Sequence, residues 1–109
     1  MNKSNSINRV ELQGRAGTVR ISPAIGSIAA NFSLMTESPV ISVEGKKLVE
    51  TTWHNVLAVE GGEVCLEGIT RGSLVHVTGR LRTVRYTASD GTERTFTEVV
   101  AESLKVLER

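Results

Sequence analysis

The segment Leu74-Val75-His76-Val77-Thr78-Gly79-Arg80-Leu81-Arg82-Thr83-Val84-Arg85-Tyr86, with the turn Ser89-Asp90-Gly91 and the run Thr92 to Val100 behind it, decides the fold. Both runs are rich in β-branched and aromatic side chains, which pack well on a pleated surface. The Ser-Asp-Gly between them offers turn hydrogen bonding and a residue at ease with positive φ. The whole reads as a β-hairpin. Strand alternation puts Arg82, Val84 and Tyr86 on one face of its first arm and Arg94 and Phe96 on one face of its second.

Outward from that hairpin the chain stays β-rich, with fourteen valines, six isoleucines and eleven threonines among 109 residues. Ile7 to Ile21 reads as one strand interrupted at Gly14 and Gly17, where a missing Cβ permits a bulge, and Ser22-Pro23 is expected to end it. Ile28, Ala30, Phe32 and Leu34 share one face of a second strand and point into a core. Pro39 is expected to break the chain before Val40–Val43, and Glu44-Gly45 turns it into Lys46–Val49, giving a protruding hairpin loop. Thr51 to Val59 is a third strand. On it Trp53, Asn55, Leu57 and Val59 lie on one face and His54, Val56 and Ala58 on the other, and periodicity leaves open which set lines the core.

Glu63-Val64-Cys65-Leu66-Glu67 is the one stretch expected to form a helix, of one or two turns, and Leu104-Lys105-Val106 extends the last strand. Five strands with a short helix between the third and fourth is the order of an OB-fold: all-β, a five-stranded Greek-key barrel whose sheet face and loops bind oligonucleotides or oligosaccharides. Residues 1–109 are expected to be one such domain.

The formal net charge of +1 excludes a binder that works by bulk positive charge. It conceals two blocks of +3. Residues 1–20 carry Lys3, Arg9, Arg15 and Arg20 against Glu11, and residues 71–94 carry Arg71, Arg80, Arg82, Arg85 and Arg94 against Asp90 and Glu93. Catalytic patterns are poor. His54, His76 and the single Cys65 form no metal-ligand or nucleophile motif, and the glutamates have no distinctive spacing, so no enzyme, metal or cofactor is expected. The longest apolar run, Val56–Val59, falls far short of the ~20 residues that span a bilayer, and the N-terminus is polar. A soluble, cytoplasmic protein is the expectation. What the pattern does suit is single-stranded nucleic acid, which asks for cations along the backbone and rings on which bases stack, with Trp53 and Tyr86 as the candidates.

Four segments carry a resemblance: Asn8–Arg15, Phe32–Thr36, Thr52-Trp53-His54-Asn55-Val56 and Gly72–Thr83, joined by Asp90-Gly91 and Thr97-Glu98-Val99-Val100. In order and spacing they resemble bacterial single-stranded DNA-binding proteins from about residue 7 to 106. The resemblance implies an OB-fold that assembles as a homotetramer, or sometimes a dimer, and binds single-stranded DNA independently of sequence in replication, recombination or repair at the nucleoid. It implies Trp53 and Tyr86 as stacking residues, with Arg82, Arg85, Arg9, Arg71, Asn55 and Arg94 as further DNA contacts and His54 near a subunit interface.

Departures from the family pattern bear on strength. Pro39 and Val59 stand where stacking aromatics are frequent, and Asn55 and Val84 where arginines are. Binding is therefore expected to be weak and salt-sensitive. The chain stops at Glu108-Arg109 without the family's acidic C-terminal tail, so tail-mediated recruitment of replication enzymes is not expected. Two other readings stand beside this one: a dimeric OB-fold accessory of replication restart resembling the primosomal proteins, and an interaction module that has kept the barrel but lost strong DNA binding.

Overall fold

A computed structural model describes residues 5–109, so Lys3 of the first basic block lies outside the described residues. Its elements are β1 (Val10–Ala24), β2 (Ser27–Ile41), β3 (Lys47–Val59), β4 (Leu74–Thr87) and β5 (Glu93–Glu108). They pair in the order β1-β2-β3-β5-β4 and close into a barrel, β4 returning to β1 from Val10↔Gly79 to Arg15↔Leu74. Every pairing is antiparallel except β3 with β5, a short parallel seam of Val56↔Val99 and Leu57↔Val100. Asn8 lengthens the β1 edge without being part of it. Its amide donates to the Leu81 carbonyl and accepts from the Leu81 N–H, both at 2.8 Å, as a strand partner would.

β1 turns from one neighbour to the other at its glycines. It pairs β4 up to Arg15 and β2 from Arg15 onward, with a register shift between Ala16 and Val19. A Cβ on Gly14 would lie 1.9 Å from the Met35 carbonyl oxygen, and one on Gly17 2.3 Å from Ser33 Oγ. At Gly14 the obstacle is the backbone of the neighbouring strand, whereas at Gly17 it is the side chains of Ser33 and Trp53, which would have to move.

Neither proline ends its strand. Pro23 pairs with Ile28 and Pro39 with Val49. Both sit where the ribbon has a single neighbour, since β1 leaves β4 at Arg15 and β2 leaves β1 at Met35. A missing N–H therefore costs no ladder bond there. The β2–β3 arms run past the barrel as a two-stranded ribbon to a turn in which Gly45 has φ 81° and donates to the Ser42 carbonyl at 2.9 Å. Ile41, Val43 and Val49 are exposed on it.

The helix expected over Glu63–Glu67 is absent. Gly61, Gly62, Gly68 and Gly72 all have positive φ, and the residues left between Gly62 and Gly68 are too few to nucleate a helix. The segment runs from one tight turn to another instead, Gly61 and Val64 exchanging N–H to carbonyl bonds and the Ile69 N–H reaching the Leu66 carbonyl, with Val64 and Leu66 buried and Cys65 exposed between them. Val64 bridges Leu104, and the Leu66 N–H is received by the Glu60 carboxylate at 3.2 Å. Val64 and Leu66 join Ala30, Phe32, Leu34, Val56, Ala58, Val75, Val77, Val99 and Leu104 in one core. Of the four residues expected to point inward from the second strand, Ala30, Phe32 and Leu34 do. Ile28 is 42% exposed because it stands near the β1–β2 turn, beyond the barrel wall.

Candidate nucleic-acid interface

With Val56 and Ala58 in the core, alternation sends Trp53, Asn55 and Leu57 outward. Register pairs then lay out three rows across the outer surface. One runs Arg20, Asn31, Leu57, Val100, Arg80 over all five strands. The next runs Ser33, Asn55 and then Glu98, Arg82, Asn55 tying β3 to β5 through a 3.4 Å bond from Nδ2 to the Thr97 carbonyl. The third carries Met35 and Trp53 on β2 and β3, then Phe96 and Val84 on β5 and β4. A polar row thus separates an aromatic row from one that ends in an arginine on each side.

The Trp53 indole is 59% exposed. It rests on Gly17, where an added Cβ would come 3.0 Å from Cζ3, so the β1 glycine is what gives the ring its seat. Tyr86, 47% exposed, meets Phe96 edge to face, with centroids 5.9 Å apart and planes at 60°. Phe96 keeps 38% of its surface open. A groove of about 340 Å³ crosses the sheet between Arg20 and Phe96, lined with Thr18, Asn31, Ser33, Asn55 and Glu98. A smaller hollow of about 160 Å³ opens beside Trp53, His54 and Asn55.

Charges on this surface are partly spoken for. Arg82 donates from Nε to Glu98 Oε2 at 3.0 Å, and a terminal amine of the same guanidinium reaches the same oxygen. Glu98 is buried, and a carboxylate there needs that partner. Arg94 lies 3.6 Å from Asp90 at the tip of the β4–β5 hairpin. There Asp90 accepts the Thr92 hydroxyl and N–H, which hold its pKa below the ordinary carboxylate value. Arg9, Arg20, Arg71, Arg80 and Arg85 make no ion pair among the described residues.

The sequence-expected contacts are thus not one cluster. Trp53, Asn55 and Arg82 share the outward face. Tyr86 and Arg94 stand opposite each other farther along the β4–β5 ribbon. Alternation turns Arg85 to the other side of that ribbon from Tyr86. Arg71 sits in the loop whose Gly72 N–H bonds Ala16, next to the Gly17 seat of Trp53, and Arg9 precedes β1 beside the Asn8–Leu81 clasp. His54 lies half-buried on the inner side, its Nε2 2.8 Å from Thr36 Oγ1, and burial lowers its pKa. Three residues of this surface are not among the contacts expected from sequence, although Phe96 shares a strand face with Arg94 and Arg20 and Arg80 fall in the basic blocks: Phe96, Arg20 and Arg80. Their signal was parity, but it became readable only once the buried face of β3 was known.

These features define a class: a closed five-stranded OB-fold with an aromatic and arginine-bearing outer face. The chain belongs to the single-strand binding protein family, whose model matches residues 7–107. The single-stranded DNA-binding protein of Neisseria meningitidis serogroup A is 34% identical over 106 residues, 94% of this chain and 60% of that relative. That of Xanthomonas campestris is 34% identical over 108 residues, 95% and 62%. The chain therefore spans about 60% of the length of these relatives. Among solved structures, the Plasmodium falciparum SSB complex with ssDNA superposes with a TM-score of 0.81 at 27% identity, covering 99% of this chain and all of that one. A deletion mutant of the Thermus aquaticus single-stranded DNA binding protein gives 0.75 at 22% identity, over 94% of this chain and 51% of that one, a likeness of fold alone.

Proposed function

We propose that this chain binds single-stranded DNA without sequence preference, serving replication, recombination or repair at the nucleoid. The observation that carries the reading is the Trp53 ring, more than half exposed on the outward face of β3 with unpaired arginines to either side of that face. A large aromatic held out of a core that has room for Phe32 needs a partner in water, and a base offers a matching π-face. Free Arg20 and Arg80 supply phosphate contacts, and Tyr86, Arg71, Arg9, Arg85 and Arg94 add contacts along the loops and ribbon. Arg82 acts mainly by fixing Glu98, and Asn55 by joining β3 to β5 while offering an amide to a base edge.

The unit is a single domain that works as a homo-oligomer, a tetramer before a dimer. Exposed Ile41, Val43 and Val49 on the β2–β3 ribbon support burial against further copies, and His54 is assigned to a subunit interface by the family resemblance alone. Titration of labelled oligo-dT by fluorescence anisotropy at low and moderate salt tests the binding. Salt-dependent saturation is expected, and none at low salt would overturn the reading. Light scattering tests the assembly, a monomer mass being the contrary result.

A further inference from the structure

The groove between Arg20 and Phe96 does not include Trp53 among its lining residues, so it is a separate place on the same surface. Its volume of about 340 Å³ lies at the low end of cavities that hold small ligands. One wall is aromatic. Phe96 presents an open ring on the outward face, and Tyr86 meets it edge-on, which limits the ways that ring can turn. The lining between wall and far end is neutral and hydrogen-bonding, with the amides of Asn31 and Asn55 and the hydroxyl of Ser33. At the far end Arg20 carries a charge with no ion-pair partner among the described residues. Glu98, the one anion in the groove, has its charge met by Arg82.

Ring, neutral polar lining and free cation, in that order, suit a nucleotide: base on the ring, base edge toward the amides, phosphate toward the guanidinium. We propose that Phe96 and Arg20 form a second nucleotide subsite on this surface, with Phe96 as a stacking platform in its own right. This rests on the single-stranded DNA reading above and adds to it. On the β2–β3 side Trp53 is the one outward ring, with Pro39 and Val59 adding none, and Phe96 on β5 supplies a second from the other side of the seam.

The test is binding of oligo-dT by anisotropy to the full chain and to Phe96→Leu, Phe96→Trp, Trp53→Ala and Arg20→Gln, each checked by circular dichroism and thermal melting. Phe96→Leu keeps apolar bulk but removes the π-face, and a loss of roughly 5- to 150-fold in affinity is expected, with Phe96→Trp retaining binding. Arg20→Gln changes an exposed side chain and so leaves folding intact. It should lower the slope of log K against log salt by about 0.7. Oligo-dT carrying 5-iodo-deoxyuridine should photo-crosslink to Phe96. If the parent chain does not bind, the DNA reading itself falls. If it binds, weakened by Trp53→Ala but untouched by Phe96→Leu and Arg20→Gln, or crosslinks only at Trp53 and Tyr86, the second subsite is overturned and the first stands.

Discussion

Arg82 and Glu98 face each other across β4 and β5, the guanidinium donating twice to one oxygen of a carboxylate that is only 6% exposed. The pair lies on the outward face proposed to bind DNA, yet its first task is internal. Removing Arg82 would strand a buried charge, whereas Glu98→Gln removes the charge itself. Arg82→Met should destabilise the fold by about 2 kcal/mol once the partial exposure of the arginine is allowed for, and Glu98→Gln by less. Urea unfolding of the two single variants and the double variant checks this, and the double variant should recover part of the loss.

Trp53→Ala should leave stability within about 1 kcal/mol of the parent, since more than half of the ring is already in water. It should weaken oligo-dT binding by the equivalent of ~1–3 kcal/mol. Anisotropy of labelled DNA measures the second effect and thermal melting the first. A variant that unfolds would show the indole to be core after all.

Gly17→Ala moves the same ring from below. The new Cβ would come 2.3 Å from Ser33 Oγ and 3.0 Å from Trp53 Cζ3, so Ser33 must rotate and the indole must lift. A shift in the Trp53 emission maximum is expected, together with weaker DNA binding. Gly14→Ala meets a backbone carbonyl at 1.9 Å instead and should cost about 1–3 kcal/mol of stability, read by denaturant midpoint, with little spectral change in the surviving folded state.

Acid should loosen the chain through His54. Burial lowers its folded pKa below the ordinary value of 6.5, so the unfolded chain takes up the proton more readily. The neutral ring's contribution is complete above that value and is lost as pH falls through the depressed folded pKa. Asp90 follows the same sign in the carboxylate range, its folded pKa held down by Thr92, so its contribution is present above the ordinary value and is lost as pH drops. Melting temperature followed from pH 7.5 to 5 should decline in the parent and decline less in His54→Gln.

The loop after β3 gives a prediction that a helix would not. Leu66→Ala should cost about 2–5 kcal/mol because its side chain fills the core in place of a helix face, while Cys65→Ala should be nearly neutral. Denaturant unfolding of both variants tells the arrangements apart.

Much of this fold was legible. Alternation along Ala30–Leu34 and the Ser89-Asp90-Gly91 turn specify local pairings, and local pairings can be read from sequence. What was not legible depended on neighbours distant in the chain. Pro23 and Pro39 are punctuation in isolation, and only the single-neighboured stretches of β1 and β2 make them tolerable within strands. Glu63–Glu67 has fair helix propensity, but the bridge from Val64 to Leu104 and the flanking glycines override it. The site followed the same division. The motifs single out Trp53 and Tyr86 as candidates, whereas Phe96, Arg20 and Arg80 belong to rows built from several strands. The resemblance implies Arg82 as a DNA contact, and the sequence gives no sign of its second role, since the burial of Glu98 opposite it depends on the assembled sheet.

The seam between β3 and β5, just two register pairs long, also bears on how the molecule assembles over time. The β2–β3 and β4–β5 hairpins join residues close in sequence and are expected to form on the microsecond scale. The ladder from β1 to β4 and the Val56–Val99 seam join residues far apart and must wait for loop closure, which places barrel formation in the millisecond-to-second range. Through that interval the β3 and β5 edges stand open. A second chain arriving then would find in Val56 and Leu57 the same row of unfilled backbone groups that Val99 and Val100 later occupy, so chain concentration during refolding should govern the yield of correctly closed barrels.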